Sequence, residues 1–468
     1  MATTAASAST SSTIDVQSLV SQLMTVANQP INTLNTKIST EQTKISDFGT
    51  ISSLVSAFQT SVQGLKTSLQ GNSAASSNTS VFSASASSAS VAGNYSVNVS
   101  SLAQAQSLVS AGQTSATAAI GNGTATTVTF DFGTTSGTTF TTNGGGTKSI
   151  TVDSTNNTLQ GIASAINAAN MGVTATIVND GSATAPYRIA LTSNNSGASN
   201  SLKITTTGGD GTINNILAYD PAGTKNLSQT AAAQNASFTV NGIAINSTSN
   251  TVTTAIQGVT LTLNGTSTTP ANLTVAHDTQ GISTAVTSFT TAYNALYNQL
   301  KGISAYGSST TAAPDLAGDG TVRAMMSQLE GVFNTPATPA SGGSLNYLAQ
   351  IGISFQTNGT LAVNSTTLNN AMSTNFGDVT NLFSSASGFA TRLDAWSTSV
   401  LSPGNGLIST ATQSLTTSIT NNTNQVNQLQ ARMKTLQAQY IQQYTALNML
   451  LTNMDSTSAY LTQQLSKN

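Results

Sequence analysis

His277 is the only histidine of the chain, and cysteine is absent. The residue types that most often bind transition metals or attack carbonyl carbons are therefore nearly missing. No His/Cys metal cluster, cysteine nucleophile or Ser-His-Asp arrangement can be assembled, so neither catalysis nor a cofactor is expected. His277 reads as a strand-to-helix junction residue, hydrogen-bonded or solvated. Asp315 and Asp319-Gly320 superficially resemble a calcium loop, but Met326 falls where such a loop needs a bidentate Glu. A turn before a helix accounts for them better. Gly121 and Gly123 lack the third glycine of a dinucleotide fingerprint, Thr126 standing there, and Gly144 to Gly146 reads as a mobile loop rather than a phosphate cradle.

With no chemistry to position, the informative pattern is structural. Charged residues make up 6% of the 468 positions, against about 25% in an ordinary globular protein. Between Lys66 and Asp131 there are none, and Ser, Thr, Asn, Gln and Ala take their place. Lysines and arginines stand singly and the net charge is −2, which leaves no electrostatic footprint for nucleic acid or an anionic membrane. No apolar run is long enough to span a bilayer. The start MATTAASASTSSTIDV has neither the basic nor the apolar region of a secretory signal. The lack of cysteine fits a reducing cytosol or an exterior protein without disulfides. Taken together, the composition predicts an extracellular structural protein exported by a dedicated machine.

The two ends carry apolar seams at helical spacing. At the C-terminus Val426, Leu429, Met433, Leu436, Tyr440, Tyr444, Leu447, Leu451, Met454, Ser458, Leu461 and Leu465 follow steps of three and four. The extra four-residue step from Tyr440 to Tyr444 is a stutter that locally unwinds a supercoil. A partner seam runs through Ile31, Leu34, Ile38, Glu41, Ile45, Phe48, Ser52, Val55, Phe58, Val62, Leu65 and Leu69. Residues 1 to 13 read as a disordered leader, Asp15 as the N-cap of a first short helix with Val16, Leu19, Val20 and Leu23, and Pro30 as a kink or restart at Gln29.

A single seam buries little surface for the chain entropy it must offset. A pair of such helices is marginal alone, and the spacing predicts tips that fray in a monomer and order against copies or a partner filament. The competing reading is the core of an ordinary helical bundle; the length of the periodic pattern from 415 to 465 favours the open one.

Between the ends the chain alternates like short strands. Tyr95, Val97 and Val99, then Val128, Phe130 and Phe132, Ile150 and Val152, Val173 and Ile177, and Tyr187, Ile189 and Leu191 mark strands, with one helix at Leu159, Ile162 and Ile166 closed by Asn170 and Gly172. A second group comprises Phe238 to Ile245, Val259 to Leu263, and Leu273 with Val275, with hairpin turns expected at Asn241-Gly242 and Asn264-Gly265. The Ser- and Ala-rich stretch 72 to 90 reads as a linker. Helices return at Ile282 to Leu300, around Val322, Met326, Leu329 and Val332, and at Phe389 to Val400.

The expected fold is α+β and multidomain. Residues 1–45 and 415–468 make a discontinuous coiled-coil leg from both termini, and 46–80 with 280–414 a helical base domain. Residues 81–110 with 233–279 make an inner antiparallel β head, and 111–232 an outer β head inserted into it.

Several segments resemble the family of bacterial flagellar filament cap proteins, also called hook-associated protein 2, across nearly the whole chain. IDVQSLVSQLMTVANQPI resembles the family's start, GNYSVNVSSLAQAQSLVS (93–110) its first head strand, and AQNASFTVNGIAINSTSNTVTTAIQGVTLTLNG (233–265) its second head sheet. TLQGIASAINAANMGVTATIVNDG (158–181) is similar to a motif shared by several flagellar axial proteins. LAQIGISFQTNGTLAVNSTTL (348–368) and QYTALNMLLTNMDSTSAYLTQQL (443–465) are more specific and favour the cap family over flagellin. One departure is that Ser9 to Thr13 stand where the family usually has Gly-rich residues.

The resemblance implies a homo-oligomeric ring, commonly a pentamer, at the distal filament end, with heads forming a plate and legs reaching into the filament. Its implied partners are flagellin, the flagellar export machinery and an export chaperone, and export without a cleavable signal peptide follows. The alternative is a flagellum-tip adhesin whose β heads bind mucin, glycan or a host surface; flagellin and the hook-filament junction proteins come third. The contact residues expected for oligomer and filament are Leu34, Ile38, Ile45 and Phe48 on one seam, with Val426, Leu429, Met433, Leu436, Tyr440, Leu447, Leu451, Met454, Leu461 and Leu465 on the other.

Overall fold

The Asp15 carboxylate accepts a hydrogen bond from the Ser18 amide at 3.0 Å, capping α1 (Val16–Ala27). The computed structural model describes residues 15–307, 312–339 and 343–466; the leader read at 1 to 13, with Ser9 to Thr13, lies outside them. At Asn28 the helix breaks and resumes as α2 (Gln29–Ser68). Pro30 explains the break, because its ring excludes continuation of the preceding turn and its missing N–H costs nothing in the first turn of a new helix. The buried face of α2 runs Phe48, Ile51, Val55, Phe58, Val62 and Leu65. Ile51 is fully buried where the expected seam placed half-buried Ser52, so the stripe steps three then four there, keeping the larger apolar side chain inside.

The chain divides into two units, Met1–Leu69 with Thr279–Asn468, and Gln70–Asp278. In the second unit the stretch expected as a linker is folded: β1 (Asn72–Ser76) and β2 (Phe82–Ala86) lie within it. Their Ser and Ala side chains carry no apolar period, yet β1 pairs along its whole length with the strand ending at His277. Head strands therefore begin at Asn72, ahead of the expected boundary at 81.

After β3 (Gly93–Ser101) and β4 (Ser107–Ser110) come β5 (Thr126–Ser136), β6 (Thr139–Thr142) and β7 (Lys148–Val152). Then follow α3 (Leu159–Ala168), β8 (Val173–Asn179), β9 (Tyr187–Ser193), β10 (Ser201–Gly208), α4 (Thr212–Leu217) and β11 (Leu227–Ala231). The unit closes with β12 (Ala236–Val240), β13 (Ile243–Ser247), β14 (Thr251–Ile256), β15 (Val259–Leu263) and β16 (Ala271–His277).

Two antiparallel sheets, ordered β1-β16-β3-β12-β13 and β14-β15-β2, share one core that includes Phe82, Val97, Val99, Phe238, Leu261 and Leu273. The strand around Tyr95 to Val99 thus joins the second strand group, between β16 and β12. Asn241 and Gly242 both have positive φ, 50° and 82°, as the tight turn between β12 and β13 requires. Asn264-Gly265 makes no such hairpin. β15 and β16 belong to different sheets, and the Asn264 and Gly265 amides both donate to the Val81 carbonyl, at 2.8 and 3.0 Å.

A second core in this unit, including Leu108, Phe130, Ile162, Ile189, Leu191 and Leu202, lies among β10-β5-β6, β7 on β5, and β11-β4-β9-β8. Gln104 and Gln234 exchange backbone hydrogen bonds of 2.9 and 3.1 Å where the chain passes between the two cores.

The helical unit resumes with α5 (Thr279–Ser304), α6 (Gly320–Asn334), the hairpin of β17 (Ile353–Phe355) and β18 (Leu361–Val363), α7 (Ser365–Thr374), α8 (Phe376–Ser384), α9 (Phe389–Leu401) and α10 (Leu407–Leu465). On α6 the buried face is Val322, Met325, Leu329 and Phe333, leaving Met326 and Val332 at its margin. Phe58 is the hub of the core, with ring centroids 5.7 Å from Phe289, 6.2 Å from Tyr293 and 6.3 Å from Trp396. Gln59 and Gln63 of α2 both donate to Asp394 Oδ1, at 3.1 and 2.9 Å, and Lys66 lies 3.7 Å from its other oxygen. The same helix that carries the terminal seam is thereby fastened to α9.

Candidate assembly interface

α2 and α10 pack antiparallel. Ile408 shares the core with Phe48, Glu41 meets Ser418 and Asn422 further along, and α1 packs on α10 beyond that. Val20 and Met24 of α1 are buried, and a groove of about 450 Å³ separates this helix from Gln437 and Ile441. The far part of the C-terminal seam is thus met by α1, not by the α2 stripe. The apolar spacing of Val16, Val20 and Met24 is the signal that carries this role.

The expected contact residues fall into three groups. Phe48 is 1% exposed inside the helical core and cannot touch a partner, a correction that follows from Phe48 lying on the part of α2 covered by the core. Val426 is buried, and Leu34, Ile38, Ile45, Leu429, Met433, Leu436 and Tyr440 are half-buried. Leu447, Met454, Leu461 and Leu465 are exposed, with Leu451 half-buried. Exposure rises from 40% at Leu447 to 76% at Leu465. The change falls just past Tyr440 and Tyr444, whose ring centroids lie 6.2 Å apart one turn from each other. From there α10 continues as helix for some twenty residues, or about 30 Å, and Met449, Leu450 and Tyr460 add to its exposed apolar surface.

The residues weighed for chemistry serve the fold. His277 Nδ1 lies 3.1 Å from Asn72 Oδ1 at the edge of the head sheet. Asp319 is the N-cap of α6, accepting from the amides of Thr321 and Val322 at 2.8 and 3.2 Å. Asp315 stands close enough to Asp47 to help raise its pKa, although burial is the larger cause. Gly121, Gly123, Gly144 and Gly146 all have positive φ, as turns need. Among the described residues no group of three or more His, Cys, Asp or Glu could hold a metal ion, and no helix is long and apolar enough to cross a membrane.

Residues 139–195 match the flagellin hook IN motif, a stretch that contains the 158–181 segment and α3, so the class is that of the bacterial flagellum's own proteins. The chain belongs to the flagellar hook-associated protein 2 family: residues 12–106 match the N-terminus of that family and residues 233–456 its C-terminus. It is 36% identical over 393 residues to flagellar hook-associated protein 2 of Escherichia coli O157:H7, covering 81% of this chain and 80% of that protein. The Salmonella typhimurium protein of the same name is 30% identical over 333 residues, covering 67% and 68%. Among solved structures, the D1-D2-D3 domains of the flagellar cap protein FliD from Escherichia coli superpose with a TM-score of 0.65 at 30% identity, covering 79% of this chain and 99% of that one.

Proposed function

We propose that this chain is the structural cap at the distal end of a bacterial flagellar filament, where it promotes the folding and polymerisation of flagellin and prevents loss of exported subunits. The observation that carries this reading is the exposed apolar stripe of α10 beyond Tyr444, on a chain of the hook-associated protein 2 family. Such a stripe is poorly tolerated in water and calls for a covering partner.

In this reading residues 1–45 and 415–468 form the coiled-coil leg, and Leu447, Leu451, Met454, Leu461 and Leu465 engage flagellin and neighbouring copies. The working form is a homo-oligomer, a pentamer as the family resemblance implies. An export chaperone and the flagellar export machinery deliver the chain to the filament tip without a cleavable signal peptide. Catalysis has no part in this function.

A neutral groove of about 350 Å³ in the inner head, beside Val91, Tyr95, Asn241 and Ile243, favours a second reading as a tip adhesin for mucin or glycan. Deleting the gene in its host and measuring flagellin in the medium alongside filaments on cells separates the two. Leaked flagellin without filaments, reversed by the intact gene, supports the cap. Normal filaments with lost surface attachment assign adhesion instead.

A further inference from the structure

Tyr293 and Tyr297 of α5, Phe333 of α6 and Phe355 of β17 surround a cavity of about 180 Å³, whose lining is completed by Glu330, Asn334 and Gly359. Tyr293 stacks on Tyr297 at 5.7 Å between centroids and meets Phe333 and Phe355 edge-on at 5.1 and 6.0 Å. Tyr293 and Phe333 are buried, whereas Phe355 is 50% exposed. The result is an aromatic floor with one open aromatic wall. The loop between β17 and β18 lies directly on these rings, since the Tyr293 hydroxyl donates to the Gly359 carbonyl at 3.2 Å. Gly359 has φ +90°, and a Cβ there would overlap the Tyr297 phenol.

Glu330 is the one charged residue among the described residues that line the cavity. Aromatic rings carry negative faces that attract cations, and Glu330 adds a carboxylate at the rim. Glu330 forms no ion pair among the described residues. Lys301, a turn beyond Tyr297, reaches the loop next to Gly359, its Nζ donating to the Asn358 carbonyl at 3.0 Å, but is not among the residues that line the cavity. The Tyr293 phenol is held well above its ordinary pKa, by burial first, with Tyr297 and Glu330 adding to it.

The volume suits a small cationic head with a few methylenes and is too small for a nucleotide. Guanidinium is planar, weakly hydrated, stacks on aromatic rings and forks onto a carboxylate, whereas ammonium is compact and strongly hydrated. We infer that this pocket receives the side chain of an arginine presented by a partner protein. A purely structural aromatic cluster requires neither a half-exposed Phe355 nor an unpaired carboxylate beside it.

The test titrates the full chain, labelled with fluorotyrosine, with Nα-acetyl-arginine amide, and with the neutral isostere Nα-acetyl-citrulline amide in parallel. The Tyr293 and Tyr297 resonances, assigned through Tyr293→Phe and Tyr297→Phe, should shift saturably with the arginine derivative in the millimolar range. The citrulline derivative should bind at least about tenfold more weakly, and Glu330→Gln should weaken arginine binding by about fivefold. Glu330 is exposed, so that variant keeps the fold, which circular dichroism verifies. Equal response to both derivatives, no saturable shift up to about 50 mM, or unchanged affinity in Glu330→Gln would overturn the assignment.

Discussion

Asn422 of α10 donates from Nδ2 to Glu41 Oε2 of α2 at 3.1 Å, and both residues are buried where the two helices meet. Ser418 Oγ donates to the other carboxylate oxygen at 2.7 Å. Both carboxylate oxygens are satisfied in one register only, because Ser418 and Asn422 stand one turn apart on α10 and a slip by one turn would leave the buried carboxylate with at most one of its two donors.

Replacing Glu41 alone should therefore be harmful and replacing the pair tolerable. Glu41→Leu leaves the buried Asn422 amide with only the Ser418 hydroxyl, 3.4 Å away, as acceptor and should cost about 1–3 kcal/mol in urea unfolding. Adding Asn422→Leu should recover most of that loss. If Glu41→Leu alone raises stability, the register role is refuted.

Aspartate substitutions along α10 should sort by depth. Leu447→Asp with Leu461→Asp replaces exposed side chains and should leave the unfolding midpoint of the isolated protein unchanged while preventing filament growth in a complemented deletion strain. Leu429→Asp or Leu436→Asp falls on half-buried positions of the same helix and should lower the unfolding free energy by about 1–3 kcal/mol. Equal stability losses at both levels would contradict the division at Tyr444.

Acid should loosen first the part of the Gln70–Asp278 unit built on β4 to β11. Asp153, Asp180, Asp210 and Asp220 all have carboxyl groups held below the ordinary range, by hydrogen bonds chiefly from Thr155, from Ser182 followed by Arg188, from the Thr212 and Asn122 amides, and from Lys203. A carboxylate whose pKa is lower folded than unfolded adds stability above the unfolded value, near about 3.9, and loses it as pH falls through the folded value. The urea midpoint of Gln70–Asp278 should fall between about pH 5 and about pH 2, and Asp180→Asn should flatten that dependence.

Gly197 should resist substitution more than a loop glycine of similar φ. It sits at φ +101° with a virtual Cβ 2.6 Å from Thr248 Cβ, whereas Gly144, at φ +80°, has open space. Gly197→Ala should destabilise the unit by about 1–3 kcal/mol and Gly144→Ala by clearly less, as read from thermal unfolding. Similar losses would show that strain alone, not the close approach to Thr248, governs both.

Long periodic segments were readable because burial on one face repeats at the helical period, as at Ile282 to Leu300 and Phe389 to Val400. The break at Pro30, the cap at Asp15 and the turn at Asn241-Gly242 were readable because each has a local steric or hydrogen-bonding cause. β1 and β2 were not, since their Ser and Ala residues earn their place through pairing with strands nearly two hundred positions away. The same non-local cause hid which seam residues face inward. Leu436 and Leu461 look alike in a seam, and the reach of α1 separates them.

Strands β1 to β3 and β12 to β16 contain no Asp, Glu, Lys or Arg. Added salt shortens the range of charge–charge forces from about 30 Å in dilute medium to about 3 Å in brine, and these strands have no such charges of their own for it to act on. Their folding and whatever they touch rest on shape, hydrogen bonds and apolar burial, so this part of the molecule should work alike in fresh water, in serum and in the sea.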